Sequence, residues 1–319
     1  MATDTTSPGT SASKRVSVGV DIGGTKTHAA AFDDNLHLIT DLREPTGTGS
    51  VEVVQRSLLG TLSRLDSRLN GATIGSIGLG IPGLVDVRHG IVRQAVNLGI
   101  GSEPLHLVDR LTDVYDVPCR VDNDVNAAAL GAYRLLSDQD GISDLAYLSI
   151  GTGVAAGVVL DGRLHRGRRG VAGEIGHFPI AADGERCQCG LRGCLETVVS
   201  GPAIARRWPV DQGTAAGALL SSAARGDADA AAALGPIVDH LTMAVYLLAI
   251  TYDAERIVIG GGVAEVGPML LDAIRGGLDR LQAQSEFVRS LDLCARVVLK
   301  PAEPIGAIGA AALIRPVDA

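Results

Sequence analysis

Four side chains that commonly bind metal ions lie in one short segment of this chain. His177 ends the run Gly173-Glu-Ile-Gly-His177, and Cys187, Cys189 and Cys194 follow it. One imidazole and three thiolates make a closed tetrahedral zinc site, with no ligand position left for water. A disulfide knot is the alternative, but Cys187 and Cys189 are too close in sequence to pair easily. The segment therefore predicts a structural zinc ion.

Two glutamates, Glu174 and Glu196, flank the predicted zinc ligands. Zinc does not need them, because the four soft ligands already complete its coordination. Their place beside the ligands indicates that the metal holds a loop whose carboxylates bind something polar. A zinc finger with no role beyond folding is the simpler alternative.

The composition limits the classes of protein to which the chain can belong. Its 319 residues are 46% hydrophobic and 3% aromatic, so we expect two aliphatic cores packed around many of the 41 glycines. A formal net charge of -8 argues against a nucleic-acid or membrane-surface binder. Cys119 and Cys294 fall outside the zinc motif and are expected to be buried thiols rather than part of a disulfide framework.

The N-terminal segment 1–15 is rich in Ser and Thr and ends in Lys14-Arg15. It contains no apolar core of the kind a signal peptide needs, so it is predicted to be a disordered tail. No run approaches the roughly 18 apolar residues that a membrane span needs. We therefore expect a cytoplasmic protein without a membrane partner.

Hydrophobic periodicity predicts an α/β chain with two similar halves. A helix over 51–69 would place Val54, Leu58, Leu62, Leu65 and Leu69 on one face. Each half begins with a strand, a Gly-rich turn and a second strand. We therefore expect two related α/β domains around a central cleft. The predicted strands are 16–22, 27–32, 36–42, 74–81, 118–121, 145–150, 155–160, 256–259 and 295–299, and the further helices are 105–115, 125–136, 200–208, 214–225, 229–253, 266–284 and 305–314.

The glycine-rich turn of the first half runs from Asp21 to Lys26. Gly23 and Gly24 lack side chains where a phosphate would approach backbone N–H groups, and Thr25 and Lys26 add a hydroxyl and a cation. Asp21 cannot favour phosphate directly, so it is interpreted as a group that holds hydrated Mg²⁺. An ordinary tight turn is the simpler interpretation.

Two further glycine turns belong to the second half. Gly151, Thr152 and Gly153 would hold the same phosphates from the other domain. The run Gly260-Gly261-Gly262 follows a buried strand and opens a helix, which suits the adenosine end of a nucleotide. Each of these turns is weak support by itself, because such turns are common.

Four polar residues are crowded between a strand and an Ala-rich helix, in the run Asp122-Asn123-Asp124-Val125-Asn126. One of them is expected to cap the helix, since Asp and Asn are favoured N-caps. A cap does not need four polar groups, and a carboxylate between the two halves can take a proton from a substrate hydroxyl. Asp124 is favoured over Asp122 for this role, mainly on the resemblance described next.

These motifs together resemble the ROK family, which includes repressors and sugar kinases. The resemblance covers nearly the whole chain after residue 15, and the spacing from His177 to the cysteines is its most specific part. The matching segments are Gly19–Lys26, Gly80–Gly83, Asn123–Gly131, Gly151–Gly153, Glu174–His177, Cys187–Glu196 and Gly260–Gly262.

The resemblance implies an actin/hexokinase-like (ASKHA) fold and transfer of the γ-phosphoryl group of MgATP to a sugar hydroxyl. Asp124 aligns with the family's catalytic base. His177 would bind zinc with one ring nitrogen and point the other at a sugar hydroxyl. The residues implied in sugar binding are Gly83, Asn97, Asn123, Asp124, Glu174, His177 and Glu196.

The implied domains are 16–122, a small α/β domain, and 123–304, a large one that carries the zinc motif. A helix in 305–319 is expected to pack back on the first domain. The family resemblance also implies a homodimer or homotetramer.

The sequence departs from the family near the sugar. Leu98-Gly-Ile-Gly-Ser follows Asn97 where many family kinases have a Pro-x-Trp segment, and Ala132 replaces a usual Glu. The acceptor therefore stays open: the 6-OH of glucose is favoured, with an N-acetylated amino sugar or a C7 cyclitol of the valiolone type as alternatives.

Two rivals are not kinases. Repressors of the family carry a winged helix-turn-helix for which there is no room before residue 16, and a sugar sensor without chemistry would not need Asp21, Lys26 and Asp124.

Overall fold

The computed structural model describes residues 14–314, so most of the predicted N-terminal tail and the last five residues lie outside the described part. The strands are β1 (Arg15–Ile22), β2 (Lys26–Phe32), β3 (Leu38–Pro45), β4 (Thr73–Ile81), β5 (Leu84–Asp86), β6 (Ile91–Arg93), β7 (Leu105–His106), β8 (Cys119–Asn123), β9 (Leu145–Ile150), β10 (Val154–Leu160), β11 (Arg163–Leu164), β12 (Arg256–Gly260) and β13 (Val297–Leu299). The helices are α1 (Val51–Asp66), α2 (Leu107–Tyr115), α3 (Asp124–Asp140), α4 (Glu196–Val199), α5 (Gly201–Arg207), α6 (Ala215–Ala224), α7 (Ala228–Tyr252), α8 (Pro268–Gln284), α9 (Glu286–Ser290), α10 (Leu293–Arg296) and α11 (Ile305–Ala312).

The two halves are built on sheets of the same topology. In the first, the strand order is β3-β2-β1-β4-β8, and in the second it is β11-β10-β9-β12-β13. In each sheet the first three strands are antiparallel neighbours and the last two run parallel to the middle strand. The similar halves expected from the two glycine hairpins are therefore present as two equivalent sheets.

Helix α1 shows how the predicted periodicity becomes a packed face. Ser50 caps its N-terminus, where the side-chain oxygen accepts a hydrogen bond from the amide of Val53 at 3.4 Å. Leu58, Leu62 and Leu65 point into the core of the first half, as do the other residues of the predicted stripe. The predicted stripe is buried as expected, but the helix ends at Asp66, so Leu69 packs from the turn that follows it rather than from the predicted helix over 51–69.

Helix α11 packs closely against β1, β4 and α3, and glycines occupy the points of closest backbone approach. A Cβ atom on Gly19 would lie 1.9 Å from the carbonyl oxygen of Ala307, and one on Gly309 would lie 1.7 Å from that of Ala127. Such contacts exclude every residue but glycine. They explain how a chain with 3% aromatic residues fills this part of its core.

Some elements differ from the sequence predictions. A small sheet of β5, β6 and β7 occupies a region where no strand was predicted, because strands of two or three residues carry no measurable period. After β12 the chain forms a 3₁₀ turn over Gly262–Val266, and the helix begins only at Pro268. Cys119 and Cys294 are half-buried, so the prediction that both are buried thiols was wrong.

Helix α7 is long and apolar enough to cross a membrane by length and composition alone. It was predicted as a helix, but the expectation that no run approaches a membrane span is wrong by this measure, because few charged residues interrupt the segment. Leu241, Val245 and Leu248 are buried in the core of the second half, against the sheet and its neighbouring helices. These contacts are those of a core helix.

Candidate active site

A cleft of about 730 Å³ brings together residues from both halves of the chain. It collects most of the predicted sugar-binding and phosphate-binding residues, although they are spread over nearly the whole sequence. The predicted residues that line it are Gly24, Gly83, Asn97, Asn123, Asp124, Gly151, Thr152, Gly153, Glu174, His177, Glu196, Gly261 and Gly262.

Five predicted phosphate-site residues do not line this cleft. Gly23, Thr25 and Lys26 complete the turn beside Gly24, where the Gly23 amide donates to the Lys26 carbonyl at 2.9 Å. Asp21 lies in β1, before that turn, and a Cβ atom on Gly306 would lie 2.3 Å from its Oδ2. The fifth, Gly260, is buried, and a Cβ atom on it would lie 2.2 Å from the hydroxyl of Tyr147. The nucleotide-binding role of these five residues stays a prediction.

Asp124 is the first residue of α3, and Asn123 is the N-cap of that helix. The Asn123 side-chain oxygen accepts a hydrogen bond from the amide of Val125 at 2.9 Å, and its Nδ2 donates to the carbonyl of Gly83 at 3.4 Å. The cap therefore fixes the start of the helix and leaves the Asp124 carboxyl directed at the cleft. The expectation that one of these polar residues caps the helix is confirmed.

The carboxyl of Asp124 has an unusual proton affinity. Burial raises its pKa to about 6, and the negative charge of Glu174 contributes further. Burial likewise raises the pKa of Asp21 to about 7, with Asp124 as the second cause. A carboxylate whose pKa lies near neutral pH is suited to accept a proton and to release it again.

Asp122 is buried, and both its oxygens are occupied. Oδ2 accepts a hydrogen bond from Nε of Arg166 at 2.6 Å, and Oδ1 accepts bonds from the Asn126 side chain at 2.9 Å and the Asn123 amide at 2.8 Å. Arg166 follows β11 in the second half, so this half-buried ion pair joins the two halves beside the cleft. Because these partners occupy Asp122, Asp124 is the one of these two carboxylates that faces the cleft.

The four predicted zinc ligands converge. Their ligand atoms all lie within 4.8 Å of one another. The Sγ atom of Cys187 is 3.6 Å from Nδ1 of His177, and Cys189 and Cys194 have their Sγ atoms 3.6 Å apart. A tetrahedral site with Zn–S bonds of about 2.3 Å has edges of about 3.8 Å, so the cluster fits zinc and its soft donors select it.

The imidazole of His177 faces two ways. Nδ1 points at the cysteine cluster, while Nε2 lies 4.0 Å from Oε2 of Glu174, at the edge of the cleft. A metal on Nδ1 would leave Nε2 as the protonated nitrogen, able to donate a hydrogen bond to a ligand in the cleft. The ring would thereby connect the zinc cluster to the cleft.

Glu196 connects the zinc segment to the second glycine hairpin. Its Oε2 accepts a hydrogen bond from the buried amide of Val154 at 3.0 Å, and a Cβ atom on Gly153 would lie 2.8 Å from the same oxygen. Beyond α4, the Gly201 amide donates to the Gly151 carbonyl at 2.8 Å. Both sides of the hairpin are therefore held by the segment that begins at the predicted zinc ligand Cys194.

The cleft also contains residues that the sequence analysis missed, among them Leu84, Gln94 and Val171. Gln94 adopts a positive φ of 52°, which is rare for a side chain of its size. Neither this conformation nor the Asp122–Arg166 pair has a signature in a single sequence. The run His165-Arg-Gly-Arg-Arg169 was the one visible signal in this region.

Known proteins resemble this chain over most of its length. A glucokinase of Halalkalibacterium halodurans is 34% identical over 285 residues, which are 82% of this chain and 85% of that protein. A crystal structure of a ROK family glucokinase from Streptomyces griseus, in complex with glucose and AMPPNP, has 29% identity and a TM-score of 0.76, and covers 94% of this chain and 99% of that one. The transcriptional regulator NagC of Escherichia coli is 28% identical over 93% of this chain and 75% of its own length.

Two equivalent α/β sheets, a glycine hairpin in each half and a carboxylate in the cleft between them define a phosphotransferase of the actin/hexokinase-like fold. The family model of the ROK family matches residues 17–316, and the chain belongs to that family. It is an ATP-dependent sugar kinase, as predicted from the sequence.

Proposed function

We propose that this kinase phosphorylates glucose or a closely similar hexose on its primary 6-OH, with Asp124 as the general base. The observation that carries the proposal is the position of Asp124, with a pKa raised to about 6, in the cleft that Glu174 and His177 also line. A sugar sensor would not need a carboxylate tuned in this way. A general base of this kind contributes about 10²–10⁴ to the rate.

The sugar is proposed to lie between α3 and the zinc segment. Glu174 and Glu196 would accept hydrogen bonds from its hydroxyls, and Nε2 of His177 would donate one. Asn123 and Gly83, joined by their own hydrogen bond, would close the other side, next to the exposed Asn97. Several fixed polar groups around a polyol orient one hydroxyl toward Asp124, which takes its proton as the phosphoryl group arrives.

The phosphates of ATP are proposed to lie between the two glycine hairpins. The turns at Gly23–Gly24 and at Gly151–Gly153 leave backbone N–H groups without side chains over them, and Lys26 adds a cation at the rim. Gly261 has a φ of 81° and packs against the backbone of Ile150, whereas a Cβ atom on Gly262 would have nothing within 4 Å, so the space beside Gly262 is proposed to take the nucleoside. Mg²⁺ bound with ATP supplies charge neutralisation at the phosphates, and Asp21 is the chain's group suited to hold its hydration shell.

The zinc cluster is proposed to be structural. Zinc bound by His177, Cys187, Cys189 and Cys194 has no open position for substrate, so its contribution is to fix the loop that carries Glu174 and Glu196. A homodimer or homotetramer and a cytoplasmic location complete the proposal.

A coupled ADP-release assay with MgATP tests the acceptor. The panel contains glucose, mannose, fructose, N-acetylglucosamine, N-acetylmannosamine and a C7 cyclitol. We expect glucose to give the highest kcat/KM. Strong turnover on an N-acetylated sugar or the cyclitol with none on glucose would refute the proposed acceptor, and glucose binding by calorimetry without turnover would refute the chemistry.

A further inference from the structure

A second groove, of about 1040 Å³, opens beside the mouth of the active-site cleft. Its walls are the hairpin formed by β5 and β6 on one side and the loop 166–171 on the other. Five arginines line it: Arg88, Arg93, Arg166, Arg168 and Arg169. We refer to it as the arginine groove.

The positive charge of the arginine groove is largely uncompensated. Arg166 is paired with Asp122. Asp86 carries the one carboxylate among the described residues that line the groove, and it bonds Nδ1 of His89 at 2.7 Å and the amides of Arg88 and His89.

Within residues 14–314, the side chains of Arg88, Arg93, Arg168 and Arg169 have no ion pair or hydrogen bond. Four such arginines in one groove are unusual for a protein whose formal net charge is -8. A solvated face is the ordinary role of a charged surface, but charges of one sign on facing walls repel unless an anion lies between them.

The loop that carries Arg168 and Arg169 is held in place. At its base, the Arg166 side chain is fixed by Asp122, and the Arg166 carbonyl accepts a hydrogen bond from the amide of Ala172 at 3.2 Å. Gly170, near its tip, has a φ of 73° and packs toward the carbonyl oxygen of Val85 in β5. The cations of the two walls are therefore presented to a shared space rather than spread over a mobile surface.

The arginine groove is continuous with the sugar end of the active-site cleft, because Leu84, Gln94 and Val171 line both. Residues of both glycine hairpins line the cleft and none of them lines the groove, so an anion in the groove is distinct from the phosphates of ATP. A ligand that lies in the cleft and extends into the arginine groove would carry its anionic group at the end away from Asp124. Arginine binds phosphate bidentately and strongly, which makes a phosphate ester the best-matched anion.

We infer that the arginine groove binds the phosphate group of a phosphorylated sugar. The phosphate belongs either to a ligand whose ring occupies the sugar pocket or to a second molecule bound outside it. The sugar part of this inference rests on the proposed function, whereas the anion part rests on the arginines alone.

Calorimetric titration of the full-length zinc-loaded protein with α-glucose 1-phosphate tests the inference. Arg168→Ser/Arg169→Ser and Arg88→Ser/Arg93→Ser each remove two groove charges. Arg110→Ser/Arg207→Ser, with two exposed arginines outside the groove, is the charge-matched control. Each arginine–phosphate pair is partly exposed, so its loss should raise Kd a few-fold, and we expect the loss of two to raise Kd about tenfold. The control should change Kd less than about twofold. Higher ionic strength should weaken wild-type binding.

A competition experiment with glucose shows where the sugar ring of the bound α-glucose 1-phosphate lies. If saturating glucose blocks the titration, the ring lies in the sugar pocket; if both bind together, the ring lies outside it. Either result supports the groove as the phosphate site, provided that the groove variants weaken binding.

Absence of binding to the wild type, or equal Kd values for wild type and both groove variants, would overturn the inference. Glucose turnover with MgATP is measured in parallel. The wild-type rate tests the proposed function separately, and the rates of the variants show whether they are folded.

Discussion

Replacing Asp124 by Asn should separate chemistry from binding. The amide keeps the shape of the side chain and its oxygen still accepts the hydrogen bond that the Val125 amide now makes at 3.0 Å, but it cannot accept the proton of the sugar hydroxyl. The expected loss in kcat is about 10²–10⁴, with little change in the Kd of glucose. The ADP-release assay measures the first quantity and calorimetry the second.

The same substitution should stabilise the fold. Burial holds the pKa of Asp124 at about 6, against an ordinary value of 3.8. The folded state therefore binds this proton more tightly than the unfolded state, and ionisation costs the folded state about 3 kcal/mol once the pH is above 6. Asn carries no charge and removes this cost. Loss of a negative charge from the first turn of α3 offsets up to about 1 kcal/mol.

The net gain is thus about 2 kcal/mol at pH 8, and it should vanish below about pH 4, where both folded and unfolded Asp124 are protonated. Thermal unfolding at the two pH values measures the difference in Tm. Asp113→Asn, an exposed position on α2, is the matched control and should leave Tm and turnover unchanged. In the wild type, kcat/KM should fall as the pH drops through about 6, because the base becomes protonated.

Two outcomes would refute the reasoning. Wild-type turnover by Asp124→Asn would remove Asp124 as the base. A Tm at pH 8 that is unchanged or lower would show that burial is not the source of the raised pKa, even if activity were lost.

Three further predictions concern the zinc site, Glu196 and α11. Cys189→Ser should release zinc and lower both Tm and glucose affinity; an unchanged metal content by elemental analysis would contradict the ligand set. Glu196→Ala should weaken glucose and AMPPNP binding together, each by roughly 1–3 kcal/mol, because it also leaves the buried amide of Val154 without an acceptor; a loss confined to glucose in calorimetry would argue against this link. Gly309→Ala should lower stability by at least about 1–3 kcal/mol, since its Cβ would overlap a carbonyl oxygen of α3, whereas Gly235→Ala, with open space around it, should not; equal Tm values for the two variants would contradict the backbone contact.

The candidate site shows what a single sequence can locate. The zinc motif is local, since its four ligands lie in one short segment and their spacing is set by the chemistry of the metal. The face of α1 is local as well, because burial repeats with the helical period. Predictions of this kind need no knowledge of which distant segments meet.

Other parts of the site depend on contacts between distant segments. The choice of Asp124 over Asp122 rested mainly on family resemblance, whereas the fold gives a physical reason: Arg166, far along the chain, occupies the carboxylate of Asp122. The hydrogen bond from Val154 to Glu196 and the convergence of arginines on facing walls likewise join residues that no sequence pattern links.

The sequence by itself determined the His/Cys cluster, the two glycine hairpins, the α/β class and the family, because each is encoded by residue types at short, fixed spacings. Only the tertiary structure decided which carboxylate faces the cleft, how the hairpin at Gly151–Gly153 is tied to the zinc segment, and where uncompensated charge collects. The physical reason is that proton affinity, hydrogen-bond partners and charge compensation depend on what packs around a group, and the chain brings those neighbours together only by folding.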